Sequence, residues 1–160
     1  MATPLSSDIL EAQFGPTSIE ILYEHGQDRL ISTKVTASDQ RLELSHVRFR
    51  QTADNLQAIR SAMASGQSMG KAFRDAGIAF QRATPHVSRV ALPSSLQAWF
   101  LIAGEATVVK VTILAGDKQQ PFADIFELYS PAVTWPQPVS PTKSQAIASE
   151  LAYLAEVVAQ

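Results

Sequence analysis

The chain has 160 residues, a formal net charge of −2 and no cysteine. Hydrophobic residues make up 46% of it and charged residues 18%, which excludes an intrinsically disordered protein. The lack of cysteine excludes a disulfide scaffold, a cysteine-ligated zinc site and a cysteine nucleophile. Its apolar runs are far shorter than the ~20 residues of a membrane helix, and its first residues show no secretory signal. We therefore expect a cytoplasmic protein with no membrane contact.

Apolar periodicity and capping residues predict the elements of the first half. They indicate a helix over 7–14 and strands over 18–25, 29–36 and 40–51. A further helix follows, capped by Thr52 or Asp54 and running to about Ser65. Ser68 then caps a short helix over 69–76, and Gly77 ends it.

The second half combines strands with a long final helix. It is predicted to contain a strand over 78–82, an irregular stretch over 85–93, a helical turn over 94–99, two strands over 107–114 and 122–129 that form a hairpin, a proline-rich linker, and a helix over 143–158. The order of elements predicts one antiparallel α+β domain over 1–135, followed by a linker and an amphipathic helix over 136–160.

The final helix carries an apolar stripe that must be buried. Its members are Ile147, Leu151, Leu154 and Val158. The stripe packs either on its own domain or on a second copy of the chain. A tethered helix loses little loop-closure entropy when it docks on its own domain, so we expect a monomer rather than a homodimer.

Basic residues concentrate in the middle of the sequence. The segment from Arg29 to Arg89 holds ten basic and four acidic residues, a net charge of +6, whereas the remainder carries −8. A basic segment in an acidic protein suits a small anionic ligand, such as an aromatic acid or another carboxylate. Scattered solvated charges are the alternative. Clustered basic residues with interleaved exposed aromatics are lacking, so we expect no nucleic-acid partner.

Two strands carry charged residues that could do chemistry. On strand 122–129, Glu127 and Asp124 face opposite ways, and apolar neighbours around Glu127 would raise its pKa enough for proton donation. On strand 40–51, Arg48 and Arg50 share a face with His46, and two guanidinium groups at this spacing suit a dianion. Alternatively, the two arginines lie at the solvent-facing end of an amphipathic strand.

The segment 66–72 resembles a phosphate-binding loop but fails its pattern. The spacing is one residue short, and Ala72 stands where magnesium binding needs Ser or Thr. The helix start at Ser68, Met69 and Gly70, with Lys71 beside it, remains able to hold an anion through its backbone N–H groups. Ordinary helix capping is the alternative. The three histidines lack a second ligand at helical spacing, so we expect no metal.

Residues 6–131 resemble the chorismate lyase-like superfamily, which includes the ligand-binding domains of many GntR-type transcription regulators. The resemblance rests on the helix opening Ser-Met-Gly-Lys-Ala-Phe at 68–73, the arginine-ended strand at 78–82, a strand at 108–114 with its Gly116 turn, the strand Ile-Phe-Glu-Leu-Tyr-Ser-Pro at 125–131, and the opening Asp-Ile-Leu-Glu-Ala-Gln-Phe-Gly at 8–15.

The resemblance implies an antiparallel sheet of about six strands, helices on one side, and an enclosed ligand pocket that uses no cofactor. It implies that Glu127 matches the family's strand glutamate, and that the helix start and the arginine-ended strand provide substrate contacts through Met69, Gly70, Lys71 and Arg82. The family's arginine lies in a Trp-Leu-Arg-Glu-like strand. Here Arg48 or Arg50 takes its role in a shifted register, or that arginine is absent.

Two functions follow from the resemblance. The first is a carbon–oxygen lyase that eliminates pyruvate from chorismate to give 4-hydroxybenzoate, with Glu127, Arg48 and Arg50 as catalytic residues. The second is a non-catalytic small-molecule binding protein on the same fold. Residues 1–17 are too short for a helix-turn-helix, so in this second case we expect a stand-alone ligand carrier or a partner-binding protein.

Overall fold

The computed structural model describes residues 6–50, 57–136 and 145–160. Within these ranges the chain forms six strands and five helices. Their bounds are α1 Ser6–Phe14, β1 Thr17–His25, β2 Asp28–Val35, β3 Arg41–Phe49, α2 Gln57–Ala64, α3 Met69–Ala76, β4 Phe80–Ala91, α4 Ser94–Phe100, β5 Glu105–Ala115, β6 Gln120–Tyr129 and α5 Gln145–Val158. None of the described helices is long and apolar enough to cross a membrane.

The strands form one antiparallel sheet in the order β1-β2-β3-β6-β5-β4. Two meanders, β1-β2-β3 and β4-β5-β6, join where β3 pairs with β6. These two strands therefore lie at the centre of the sheet, buried from both sides. The predicted antiparallel α+β fold with a C-terminal helix is confirmed.

The sheet is covered on both faces, each with its own apolar core. The front face carries Val47 and Ile125 and packs against α1, α2 and α3. The back face carries Leu44 and Leu128 and packs against α4 and α5. The helices thus lie on both sides of the sheet rather than on one. Strands β3 and β6 carry apolar residues on both faces of the sheet, so helices must pack on each face to bury them.

Strand β4 is longer than its sequence pattern indicates. Phe80–Ala91 pairs with β5 on both sides of one irregularity, where a short strand and an irregular stretch were expected. The register shifts between Ala83 and His86. Pro85 lies in this shift and has no N–H for the ladder, so the strand accommodates it as an irregularity and resumes pairing.

Helix α5 docks on the back face of its own chain. Ile147, Leu151 and Leu154 are buried there against the sheet and α4. His46 on β3 adds a polar link, because its ring nitrogens lie 3.2 Å from Glu150 of α5 and 2.9 Å from Asp28 of β2. The expected intramolecular docking of the apolar stripe is what the structure shows.

The residues just after β6 also pack on the domain. Val133 is buried in the front core, and Trp135 lies 5.1 Å from the ring of Tyr129. Gln13 of α1 exchanges two hydrogen bonds with the backbone of Thr134. The last residues of the predicted domain are therefore held against α1. The predicted linker beyond residue 136, and the predicted caps Thr52 and Asp54, lie outside the described residues.

Docking of α5 predicts a large cost for shortening its most buried side chain. Leu154→Ala should lower the free energy of unfolding by about 2–5 kcal/mol, because it leaves a cavity at a fully buried position. Leu101→Ala is the matched control: Leu101 is 89% exposed, so it should cost about 0.5 kcal/mol or less. Urea unfolding measures both. Equal effects of the two substitutions would contradict the docking.

Candidate functional site

A cavity of about 510 Å³ lies between the front face of the sheet and the helices α1, α2 and α3. The sheet wall combines apolar side chains, among them Ile31, Val47, Ile113 and Ile125, with a similar number of polar ones. The size of the cavity and its combination of apolar surface with convergent polar groups are typical of small-molecule sites.

The strand register brings a row of polar side chains into this cavity. Glu43 on β3 stands opposite Thr33 on β2, and Ser45 stands opposite Glu127 on β6. All four line the cavity and are buried. Glu43 also stands opposite Tyr129 on β6. Two carboxyl groups from neighbouring strands therefore share one apolar environment.

Arg82 and Glu127 form a buried, bidentate ion pair. The two guanidinium NH₂ groups of Arg82 donate to the carboxylate oxygens of Glu127 at 3.1 and 2.6 Å, and the side chains are only 7% and 4% exposed. The hydroxyl of Tyr129 donates to the same carboxylate at 3.1 Å. Burial opposes the charge on Arg82, but the adjacent Glu127 outweighs it and raises the pKa of Arg82 further above its ordinary range.

No cation among the described residues forms an ion pair with Glu43, and Arg82 is already paired with Glu127. The carboxyl oxygens of Glu43 contact the hydroxyls of Thr33 and Ser45 at 3.2 and 2.9 Å. Burial, and then the negative charge of Glu127, raise the pKa of Glu43 to about 8. Glu43 is therefore mainly protonated at neutral pH, and it can donate a hydrogen bond.

The start of α3 forms part of the cavity wall, as the sequence predicts. Ser68 caps the helix by accepting a hydrogen bond from the backbone N–H of Lys71, and Gly77 ends it in the left-handed conformation. Ser68, Met69, Gly70 and Lys71 all line the cavity. The ammonium of Lys71 lies 3.2 Å from Asp75, and its side chain is 62% exposed.

The structure brings together five of the seven predicted site residues. These are Glu127, Arg82, Met69, Gly70 and Lys71, which all line the same cavity. Arg48 and Arg50 do not join them. The arginine that contacts Glu127 is Arg82 of β4, on a strand that pairs with neither β3 nor β6.

Strand alternation explains the position of Arg48 and Arg50. Ser45 and Val47 face the cavity, so the residues between and after them face the back of the sheet. There Arg50 donates two hydrogen bonds to Asp124, at 2.7 and 2.8 Å. The side chain of Arg48 is 69% exposed, with Asp28 at 3.9 Å. Neither arginine can contact a ligand bound beside Glu127.

The basic residues of the middle segment are divided between the two faces of the sheet: Lys71 and Arg82 line the front cavity, whereas Arg48 and Arg50 line a second pocket on the back face. Most of the segment's basic side chains are paired with carboxylates, several of them from outside the segment. The pairs are Arg29–Glu24, Lys34–Glu20, Arg50–Asp124, Lys71–Asp75, Arg82–Glu127 and Arg89–Glu105. Folding thus neutralises much of the charge that is apparent in the sequence.

Sequence reasoning missed Glu43 and its partners Thr33 and Ser45. The signal that singles out Glu127, a carboxylate between apolar neighbours in a strand, is also present at Glu43, which lies between Leu42 and Leu44. Every strand carboxylate with apolar neighbours must therefore be considered a candidate, because only the pairing of the strands shows which two of them lie side by side.

The raised pKa of Glu43 makes stability depend on pH. Its folded-state pKa of about 8 lies above the ordinary value of 4.5, so its stabilising contribution is complete below about pH 4.5 and is lost as the pH rises to about 8. Glu43→Gln cannot ionise. Between pH 5.5 and pH 8, the wild type should therefore lose about 3 kcal/mol of unfolding free energy relative to E43Q.

Urea unfolding at a series of pH values measures this difference. Glu105→Gln is the control, because the Glu105 side chain is 63% exposed and should leave the pH dependence of the wild type unchanged. Parallel pH profiles for wild type and E43Q would contradict a protonated Glu43.

Comparison with known proteins gives matches at the level of structure. No family model matches the chain, and no curated protein matches it in sequence. PhnF from Mycobacterium smegmatis superposes with a TM-score of 0.59 at 11% identity, over 91% of this chain and 70% of PhnF. The separate effector domain of PhnF gives 0.55 at 12% identity, over 90% of this chain and 99% of that domain.

Two further structures agree. A possible transcriptional regulator, YydK from Bacillus subtilis, gives a TM-score of 0.57 at 6% identity, over 79% of this chain and 64% of YydK. A ligand-binding domain described as that of a GntR-family regulator from Bordetella bronchiseptica gives 0.51 at 12% identity, over 78% of this chain and 92% of the domain. The expected fold is therefore confirmed: it is shared with the effector domains of such regulators.

Proposed function

We propose that this protein is a small-molecule binding domain whose ligand occupies the cavity between the front face and helices α1, α2 and α3. The observation that carries the proposal is the buried group of Arg82, Glu127 and Glu43 at the wall of a cavity large enough for a small ligand. Buried ionisable groups cost folding free energy, and a binding role accounts for their retention beside a cavity.

The comparisons support the same conclusion. Fold alone does not assign a function, but these matches are to domains described as effector or ligand-binding domains. The match with the PhnF effector domain covers nearly all of that domain, whereas this chain spans only 64% of YydK. A monomeric state and a cytoplasmic location, both expected from the sequence, remain part of the proposal.

Filling the cavity tests the site. Ile19 and Ile21 lie on the same face of β1 and are both partly buried, but only Ile19 lines the cavity. A ligand found by thermal-shift screening of aromatic acids, ketones and chorismate should raise the Tm by about 3–6 °C at ten times its Kd. Ile19→Trp should abolish that shift, and Ile21→Trp should keep it. A shift that survives I19W would place the ligand elsewhere.

Chorismate lyase activity is the second candidate, and the presence of Glu127 and an arginine in one cavity favours it. The chemistry of the site argues against it. Both carboxylate oxygens of Glu127 accept hydrogen bonds from Arg82, so Glu127 is poorly placed to donate a proton. Chorismate brings two carboxylates, and the charge of Arg82 is already matched by Glu127.

Incubation with chorismate decides between binding and catalysis. We expect no release of pyruvate above the uncatalysed background, measured by coupling to lactate dehydrogenase. A parallel thermal melt of the same sample verifies that the protein is folded. Pyruvate release that disappears in Arg82→Gln would establish the lyase and replace the binding proposal.

A further inference from the structure

The hydrogen bonds around Glu43 leave one donor unused. Protonated Glu43, Thr33 and Ser45 together hold three O–H groups, and the two contacts that join them use only two. When Glu43 is ionised, both hydroxyls donate to it and no O–H is left over. The protonated cluster therefore offers one hydrogen bond to a group outside it, and all three residues line the cavity.

Arg82 supplies a second unused donor. Its Nε is buried and has no hydrogen-bond partner among the described residues, although both NH₂ groups bind Glu127. A buried donor without an acceptor costs about 1–3 kcal/mol. An acceptor oxygen brought into the cavity, with a small shift of the Arg82 side chain, would recover that cost. Both unused groups are donors, so a ligand that contacts them must bring an acceptor.

Beside Glu43 and Glu127, on the sheet side of the cavity, the charges favour an acceptor that is not an anion, whereas the start of α3 and Lys71 lie on the helix side. Arg82 is matched by Glu127, and the carboxylate of Glu127 already raises the pKa of Glu43. A ligand carboxylate would place a further negative charge beside Glu127, with no free cation in the described wall of the sheet. A carbonyl oxygen accepts the same hydrogen bonds without that repulsion.

We propose that the cavity selects an uncharged, mainly apolar molecule and holds it through a carbonyl-type oxygen that accepts a hydrogen bond from the cluster of Glu43, Thr33 and Ser45. This inference rests on the proposed ligand-binding function and specifies its ligand class. It replaces the anionic ligand that the charge distribution of the sequence suggests. It also couples binding to a proton, because the cluster has a spare donor only while Glu43 is protonated.

The effect of Glu43 ionisation on binding can be measured if the groups around Glu43 do not change their own charge over the same pH range. Glu127 and Tyr129 face Glu43 from β6 and Arg82 from β4, while Glu11 of α1 and Lys71 of α3 line the same cavity. Burial raises the pKa of Tyr129 well above its ordinary value, and that of Arg82 is also raised. Arg82 and Tyr129 therefore keep their protons between pH 7 and pH 9, the interval over which Glu43 loses its own.

Matched pairs of small molecules test the inference. Acetophenone and benzoate, and likewise 2-heptanone and hexanoate, differ only in a methyl group replaced by a charged oxygen. Dissociation constants come from saturation-transfer NMR on the ligand signals. We expect the ketones to bind at least tenfold more tightly than the carboxylates at pH 7. The ketone affinity should fall about tenfold between pH 7 and pH 9, following the protonated fraction of Glu43.

Variants separate this inference from the proposed function. E43Q should abolish the pH dependence of ketone binding, and the control E105Q should retain it. Carboxylates that bind as tightly as ketones, an affinity that stays constant from pH 7 to pH 9, or an unchanged pH profile in E43Q would each overturn the inference while leaving a binding cavity. Failure of all four probes to bind, or binding that is insensitive to I19W, would overturn the proposed function as well.

Discussion

The site depends on an imbalance of buried charge: two carboxyl groups share the environment of one guanidinium. Arg82 forms a bidentate ion pair with Glu127. Glu43 therefore remains protonated instead of forming a second buried carboxylate. An ion pair and a neutral acid can both be buried at tolerable cost, whereas an unpaired buried carboxylate cannot. The cavity wall is therefore close to neutral overall, although every one of these groups is ionisable.

The antiparallel sheet makes this arrangement possible. Pairing of β3 with β6 sets Ser45 opposite Glu127 and Glu43 opposite Tyr129, and the long side chain of Arg82 reaches them from β4. Alternation along the same strands places His46 and Arg48 on the other side. One central strand thus contributes to two unrelated tasks, a cavity on the front face and the anchoring of α5 on the back face.

The two faces also differ in how they are covered. On the back face α5 and α4 bury a continuous apolar core, and His46 ties α5 to β2 through Glu150 and Asp28. On the front face α1, α2 and α3 leave a cavity above the polar row. The apolar core on the back face supports a front face that can accommodate a ligand, which is the division expected when a binding site is built on a stable sheet.

The sequence by itself determined the elements and much of the site. Period-two alternation and capping residues located α3 and all the described strands except β4. The apolar surroundings of Glu127 and the helix start at Met69 and Gly70 marked residues that do line the cavity. Only the tertiary structure decided which charges meet. The partner of Glu127 is Arg82, 45 residues away, rather than Arg48 or Arg50. Strand order and register are long-range properties, set by how both apolar faces become buried, and no local pattern around Glu43 reveals that its neighbour in space is Glu127.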